Sequence, residues 1–248
     1  MKIIIALPVY NEQLVLEKNA QAVRVFCRGA FPIDEVTIVI ADNASRDQTP
    51  VIAQQLAATY SDIKYLHVTE RGKGVAWRTA FLAYEADCYV VMDVDLAVSL
   101  VDLQPLVEAI RDGADLVIGS RFLPNSRVER TALRTLTSRV YRKLAQVVMK
   151  SQISDFQCGF KALNHRLRTE LLPQTTDPEF FLDTEIAVLA EALTYKIVEI
   201  PVEWSAYRDP LRKSTVNIIV TTYLYLQKVW KLRRRKLALN LDKITKVV

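Results

Sequence analysis

Cys88-Tyr89-Val90-Val91-Met92-Asp93-Val94-Asp95 is an apolar run that ends in two carboxylates two residues apart. Apolar side chains on consecutive positions, here Tyr89 to Met92, mark a strand buried on both faces, as in a parallel sheet covered by helices. In extended chain, residues i and i+2 point the same way, so Asp93 and Asp95 share one side. They fall at the C-terminal edge of the sheet, where open α/β folds bind their ligands. Two carboxylates held there repel one another unless a cation joins them. Hard oxygen donors suit Mg²⁺ or Mn²⁺, which binds through one or two carboxylates together with substrate phosphates. Taken alone, Asp-x-Asp equally describes a solvated turn, so the flanking sequence has to separate the two.

Working outward, strands are expected over 2–7, 35–41, 63–68, 88–93 and 115–119. Helices are expected over 12–27, 50–59, 74–85 and 103–112. This alternation specifies an α/β fold with a mostly parallel sheet flanked by helices. Thr49 before Pro50 is an expected N-cap with proline at the first helical position. Further on, helices are expected over 131–149, rich in arginine, and over 179–193, opened by Asp177-Pro178, with a strand over 196–201. No Gly/Ser linker or repeat divides the chain. One catalytic domain over 1–213 and a basic C-terminal segment over 214–248 are therefore expected.

The loops after the expected strands are polar. Pro8-Val9-Tyr10-Asn11-Glu12 follows the first, and Asp42-Asn43-Ala44-Ser45-Arg46-Asp47 follows the second. Arg71-Gly72-Lys73-Gly74 precedes a helix, where glycines let backbone approach a phosphate and Lys73 offers positive charge. All these clusters then line the edge that carries Asp93 and Asp95. Each is also an acceptable βα turn, since Asp, Asn, Ser and Gly are common there.

The six glycines spell neither a dinucleotide fingerprint nor a P-loop. Cys27, Cys88 and Cys158 show no zinc spacing and are expected to be reduced thiols. With two histidines in the chain, a metal site is expected to be built from oxygen ligands. The net charge of +5 is uneven: residues 1–120 carry −6, 121–150 carry +7, 151–204 carry −5 and 205–248 carry +9. Two basic blocks on an acidic body call for an anionic partner such as phosphate, nucleic acid or a lipid surface. Residues 214–227 hold 14 positions without a charge, short of the about 20 needed to span a bilayer. Ile219, Tyr223, Leu226 and Trp230 form one helical stripe ahead of a basic end. An amphipathic helix at the membrane interface fits that pattern, as does a helix packed on its own domain.

The order PVYNE, DNASRDQT, RGKG, DVDL and GSR resembles the family 2 glycosyltransferases with a GT-A fold. Asp155-Phe156-Gln157-Cys158-Gly159-Phe160-Lys161 and Glu199-Ile200-Pro201-Val202-Glu203-Trp204 resemble, more narrowly, the dolichyl-phosphate glucose and mannose synthases and related polyprenyl-phosphate transferases. The resemblance covers about residues 2 to 216. It implies an inverting transfer of a hexose from a nucleotide sugar to a polyprenyl phosphate. UDP-glucose is the favoured donor and GDP-mannose the alternative. It implies Mg²⁺ or Mn²⁺ as cofactor, a peripheral place on the cytoplasmic face of a membrane, and no nucleic-acid partner. By the same resemblance, Pro8, Tyr10, Glu12 and Asp42 hold the nucleoside, with Lys73 beside them. Asp93 and Asp95 bind metal and diphosphate, and Gln157 lies over the donor sugar. Arg121, Arg134, Ser138 and Arg208 face the acceptor phosphate. Asp183 is either a general base or a first-turn helix carboxylate favoured by the helix dipole.

Two positions depart from the family pattern. Relatives often carry Gln two residues after the second Asp, where this chain has Ala97. Relatives also often carry Ser-Lys after the last strand, where this chain has Ser214-Thr215 with Lys213 ahead of it. Two other functions remain compatible with the residues: a family 2 transferase for a soluble or lipid-linked saccharide, and a non-catalytic nucleotide- or nucleic-acid-binding module.

Overall fold

The computed structural model describes residues 1–130, 132–206 and 227–238, apart from the side chains of 132–134. Strand β1 (Lys2–Val9) lies in parallel between β2 (Glu35–Asn43) and β4 (Cys88–Val91), with β3 (Ile63–Val68) outside β2. Beyond β4 come β7 (Lys161–Asn164), β5 (Leu116–Ser120) and β8 (Ile197–Pro201), giving a seven-stranded sheet of order β3-β2-β1-β4-β7-β5-β8. A small parallel pair, β6 (Arg127–Glu129) with β9 (Glu203–Ser205), stands apart. The mostly parallel α/β sheet expected from the apolar runs is what forms.

The two-residue period of the strands sorts the core into two layers. Ile4 and Ala6 of β1 face one side, with Tyr89 and Val91 of β4. They pack against Trp77 and Phe81 of α3 (Lys73–Ala83), Tyr141 of α5 (Ala132–Met149) and Ile186 of α7 (Leu182–Ala192). Ile3, Ile5 and Leu7 face the other side, with Cys88 and Val90. They meet α1 (Leu16–Ala30), α2 (Thr49–Thr59) and α4 (Leu103–Arg111). A short α6 (His165–Glu170) follows β7, capped by Asn164, whose side chain accepts the Leu167 N–H.

One strand runs against the rest. Strand β7 pairs antiparallel with both β4 and β5, Val91 opposite Lys161 and Ile118 opposite Lys161. Its first residue therefore sits where β4 and β5 end, which delivers residues 155–160 to the edge bearing Asp93. Four residues preceded by the Gln157-Cys158-Gly159 turn carry too little periodicity to mark a strand in the sequence.

Three helix starts differ from expectation. Thr49 is the first helical residue and not the N-cap; its hydroxyl accepts the Glu12 N–H at 2.8 Å, and Asp47 takes the Thr49 N–H at 2.9 Å. The buried threonine is used to close the turn after β1. Helix α1 begins at Leu16 and not at 12, because Glu12 sits in that turn and its carbonyl accepts the Val15 and Leu16 N–H groups. Helix α7 begins at Leu182 and not at 179, since Asp177 takes the Glu179 N–H at 2.9 Å within a turn of its own.

Residues 227–238 form a helix, α8, on the main body. Val229 and Leu232 are buried in the same core layer as α5 and α7. Lys228, Arg235 and Lys236 pair with Asp177, Glu185 and Glu191. Trp230, the one member of the expected apolar stripe within the described residues, is 56% exposed. Ile219, Tyr223 and Leu226 lie outside the described residues. No described helix is long and apolar enough to cross a membrane.

Candidate active site

The strands of the sheet end in turns whose backbones are strained in the same way. Asn11 after β1, Ala44 after β2 and Leu96 after β4 all have φ between 52° and 56°, a left-handed conformation uncommon for residues with a Cβ. Such outliers gather at functional sites. The turns are tied together: the Asn11 N–H reaches Ser45 Oγ at 3.0 Å, and the Arg46 N–H reaches Asn11 Oδ1 at 2.8 Å. Pro8, Tyr10, Glu12 and Asp42 are thereby gathered at one corner of the edge. The Arg71 guanidinium lies 4.6 Å from the Tyr10 ring centroid. Asp42 is fully buried and accepts from Ser45 N–H at 3.0 Å and Tyr65 hydroxyl at 3.1 Å, with His67 Nδ1 at 3.3 Å.

Asp93 and Asp95 open on a cavity of about 110 Å³ lined also by Arg121, Gln157, Phe160 and Trp204. The Asp93 side chain is 41% exposed, and Lys73 Nζ lies 2.6 Å from its Oδ1. Burial works against the Lys73 charge, but Asp93 and Asp183 outweigh it and hold its pKa above the ordinary value. Asp95 accepts the Ala97 N–H at 3.1 Å. A Cβ on Gly159 would stand 2.5 Å from Lys73 Nζ and 2.8 Å from Asp93 Oδ2, so a larger residue would push that pair aside. Burial pushes the Cys158 thiol up to about 11, so it lines the cavity as a neutral group.

The donor set fits a hard divalent cation: two carboxylates lining one cavity, with phosphate oxygens to complete the shell. Ala97 adds no side-chain oxygen. Among the described residues no cluster of three or more His, Cys, Asp or Glu forms, here or elsewhere, so the pair of carboxylates would need phosphate oxygens or water to complete a shell.

Arg121 is held from beneath. Its Nε and Nη2 donate to the two Asp155 oxygens at 2.7 and 2.9 Å, and its backbone N–H adds a third bond at 3.1 Å. Burial opposes its charge, yet Asp155 more than compensates and raises its pKa. Burial likewise pushes the Asp155 carboxyl up, but Arg121 overrides this and holds it below the usual carboxylate range. A carboxyl that titrates lower folded than unfolded adds stability above its unfolded pKa of about 4, lost as pH falls through the folded value. Asp155→Asn is therefore expected to flatten the acid limb of a plot of urea midpoint against pH. An acid limb identical to that of the unsubstituted chain would refute this.

On its other side Arg121 lines a second, larger cavity of about 440 Å³ with Phe122, Arg130, Thr135, Arg139 and Arg142. The Arg130 and Arg142 guanidinium groups stack on Phe122 at 5.2 and 4.5 Å. Each buries an Nε with no hydrogen-bond partner among the described residues. Burial, with Arg121 and Arg139 nearby, lowers the Arg130 pKa. Crowded guanidinium groups with unused donors form a site for an anion. Ser138 joins this basin through its hydroxyl, which accepts from Arg130 at 3.2 Å. The Arg134 side chain and Arg208 lie outside the described residues.

Asp183 is 2% exposed and engaged: Lys161 Nζ lies 3.2 Å from one oxygen and Lys73 Nζ 4.0 Å from the other. It falls in the first turn of α7. The sequence reading assigned no role to Asp155, Lys161, Arg130, Arg139 or Arg142. For Thr135, Arg139 and Arg142 a signal existed, since spacing of four and three residues puts them on one helix face.

The glycosyl transferase family 2 profile matches residues 4–172. The chain is 32% identical over 237 residues to glycosyltransferase AglD of Haloferax volcanii, covering 95% of this chain and 38% of that protein. It is 27% identical to the dolichyl-phosphate beta-glucosyltransferase ALG5A of Trichomonas vaginalis, covering 94% of this chain and 76% of that one. Among solved structures, the glucosyl-3-phosphoglycerate synthase of Mycobacterium tuberculosis, in complex with Mn²⁺ and UDP-glucose, matches with a TM-score of 0.65. That match has 16% identity and covers 94% of this chain and 78% of that one. With a strained, carboxylate-bearing sheet edge, a fold shared with that synthase and a family match over most of its length, the chain belongs to glycosyl transferase family 2 and has the GT-A fold.

Proposed function

We propose that the protein moves a hexose, with inversion at the anomeric carbon, from a nucleotide sugar to a polyprenyl phosphate at a membrane surface. UDP-glucose is the favoured donor and GDP-mannose the alternative. The observation that carries this reading is the position of Arg121, which lines both the Asp93/Asp95 cavity and the arginine basin. A donor diphosphate at the first and an anionic acceptor at the second meet across one side chain.

In this reading Tyr10, Asp42 and their turn hold the nucleoside, Lys73 approaches the diphosphate, and Gln157 covers the sugar. Asp93 and Asp95 hold Mg²⁺ or Mn²⁺, which when bound neutralises charge on the departing nucleoside diphosphate. The basin arginines, together with Ser138, Arg134 and Arg208, orient the acceptor phosphate in line with the anomeric carbon. An acceptor oxygen forms the new C–O bond as the bond to the diphosphate breaks, its electron pair leaving with the diphosphate. A phosphate monoester is already largely ionised near neutral pH, its second pKa lying near 6. A protein base is therefore not required, which agrees with Asp183 being tied to Lys161. The peripheral place at the cytoplasmic face belongs to this proposal, as does the basic C-terminal segment as its contact.

The deciding experiment supplies radiolabelled UDP-glucose or GDP-mannose with Mn²⁺, with and without polyprenyl phosphate. Label should enter the organic phase only when the lipid is present. Label transferred to a water-soluble acceptor instead would replace the lipid reading with a soluble one. Within the basin, Arg142→Ala is expected to raise the KM for the lipid phosphate by about tenfold, the scale of one charge-assisted hydrogen bond. Nucleotide affinity should not change. A loss of nucleotide binding equal to the loss for lipid would count against the division of the two cavities.

A further inference from the structure

Lys73 owes its place against Asp93 to a segment that belongs to neither donor nor acceptor. Residues 174–181 lie across the first turn of α3. The Val75 N–H donates to Pro178 O at 3.0 Å. Gly72 has no room for a Cβ against Pro178 O, and a Cβ on Gly74 would stand 2.7 Å from Glu179 O. Movement of this segment would therefore move the backbone of Lys73.

The segment is itself gripped by one carboxylate. Glu185, 3% exposed, accepts the Thr176 N–H at 3.0 Å, the Asp177 N–H at 2.8 Å and the Thr176 hydroxyl at 3.1 Å. Its remaining capacity is taken by Arg235 of α8, whose Nη1 lies 2.6 Å away and whose Nη2 donates to Gln174 O. Lys228 of the same helix pairs with Asp177 at 2.5 Å. A buried carboxylate at the hub of a turn holds that turn in one conformation, because each backbone N–H would otherwise lose its partner inside the protein.

We propose that Glu185 is a positioning residue for the donor side of the site. It fixes the Thr176–Pro178 turn against α3 and so fixes Lys73 on Asp93, and Arg235 of the C-terminal helix completes the support. The inference rests on the donor reading above. It gives α8 a task at the site itself: the helix closes the back of the wall that faces the donor diphosphate.

The test measures binding of UDP, and of GDP as a second probe, to the full chain by calorimetry with Mn²⁺ present. It compares Glu185→Gln, Arg235→Gln and Lys236→Gln. Lys236 ties the same helix to Glu191 at 2.8 Å, away from the turn, so its loss loosens α8 without touching the relay. Glu185→Gln and Arg235→Gln are expected to weaken nucleotide binding by about tenfold, with the KM for acceptor within about twofold of the unsubstituted chain. Lys236→Gln is expected to lower the unfolding midpoint about as much as Arg235→Gln while leaving nucleotide affinity unchanged. Arg235→Lys should restore part of the loss. If Glu185→Gln does not fold, Arg235→Gln carries the comparison, since its site is partly exposed. Equal affinity in all variants, or equal losses in Arg235→Gln and Lys236→Gln, overturns this inference alone. Failure of the unsubstituted chain to bind either nucleotide overturns it together with the donor reading.

Discussion

Asp93→Asn is expected to cut sugar transfer by about 10²- to 10³-fold, the scale on which one preorganised charge contributes to a transition state. Its unfolding midpoint should fall moderately, because buried Lys73 keeps, among the described residues, only Asp183 at 4.0 Å. The residue sits on the cavity rim with 41% of its side chain exposed, and the amide has the same shape, so folding loses no packing. What is lost is a charge used twice. It is one of the two carboxylates available to a divalent cation, and it is the near partner of Lys73 at 2.6 Å, whose next carboxylate stands at 4.0 Å. The substituted enzyme should need more Mn²⁺ for half-activity, and chelation of the unsubstituted enzyme should reproduce the defect reversibly. Transfer within about tenfold of normal at saturating Mn²⁺ would sink the assignment of Asp93 to metal and diphosphate.

The catalytic edge was legible because its strands are buried on both faces. Ile38 to Ala41 and Tyr89 to Met92 are apolar on consecutive positions, which leaves little room for any element but a central strand. The polar turns that follow them had to meet at one edge once the strands were parallel. Strand β7 was hidden for the opposite reason. Its first residue, Lys161, is a lysine with no exposed surface, and a charge at that position contradicts the strand pattern unless its partners are known. Two of those partners are carbonyls of the turn just before it, Phe156 O and Cys158 O, but the charge that balances the lysine, Asp183, lies 22 residues further along. Arg121 shows the same limit of local reading. Its motif marked it as an anion binder, but the carboxylate beneath it lies 34 residues further along, and no spacing rule connects them. Side chains whose partner comes from the same turn or helix face were readable; those satisfied across the sheet were not.

Arg121 and Lys161 together show how the site is built. Two acidic residues, Asp155 and Asp183, are ion-paired with Arg121 and Lys161. This is consistent with the proposed displacement, which needs charge placement more than acid–base chemistry. It also predicts where substitution harms the fold before it harms the chemistry.

Lys161→Met is the sharpest such case, with an expected destabilisation of about 3–5 kcal/mol, the usual cost of leaving one partner of a buried ion pair alone. Methionine fills the space of the lysine stem, so little of the loss comes from a cavity. Lys161 Nζ donates to Phe156 O at 3.2 Å, to Cys158 O and to Asp183 Oδ1 at 3.2 Å. Its removal strands two carbonyls and a carboxylate in the interior, with Lys73 4.0 Å from the other carboxylate oxygen. Urea unfolding reads the loss directly, and a change below about 1 kcal/mol would contradict it. Removing both charges in Lys161→Met/Asp183→Leu should recover part of the stability, since the stranded carboxylate is gone. The pair also separates the two readings of Asp183. A general base would lose turnover in Asp183→Asn at nearly unchanged stability; an ion-pair hub loses stability first, and turnover only as far as Lys73 and the Phe156–Phe160 turn are displaced. With Lys161 fully buried against Asp183, the second outcome is the expected one.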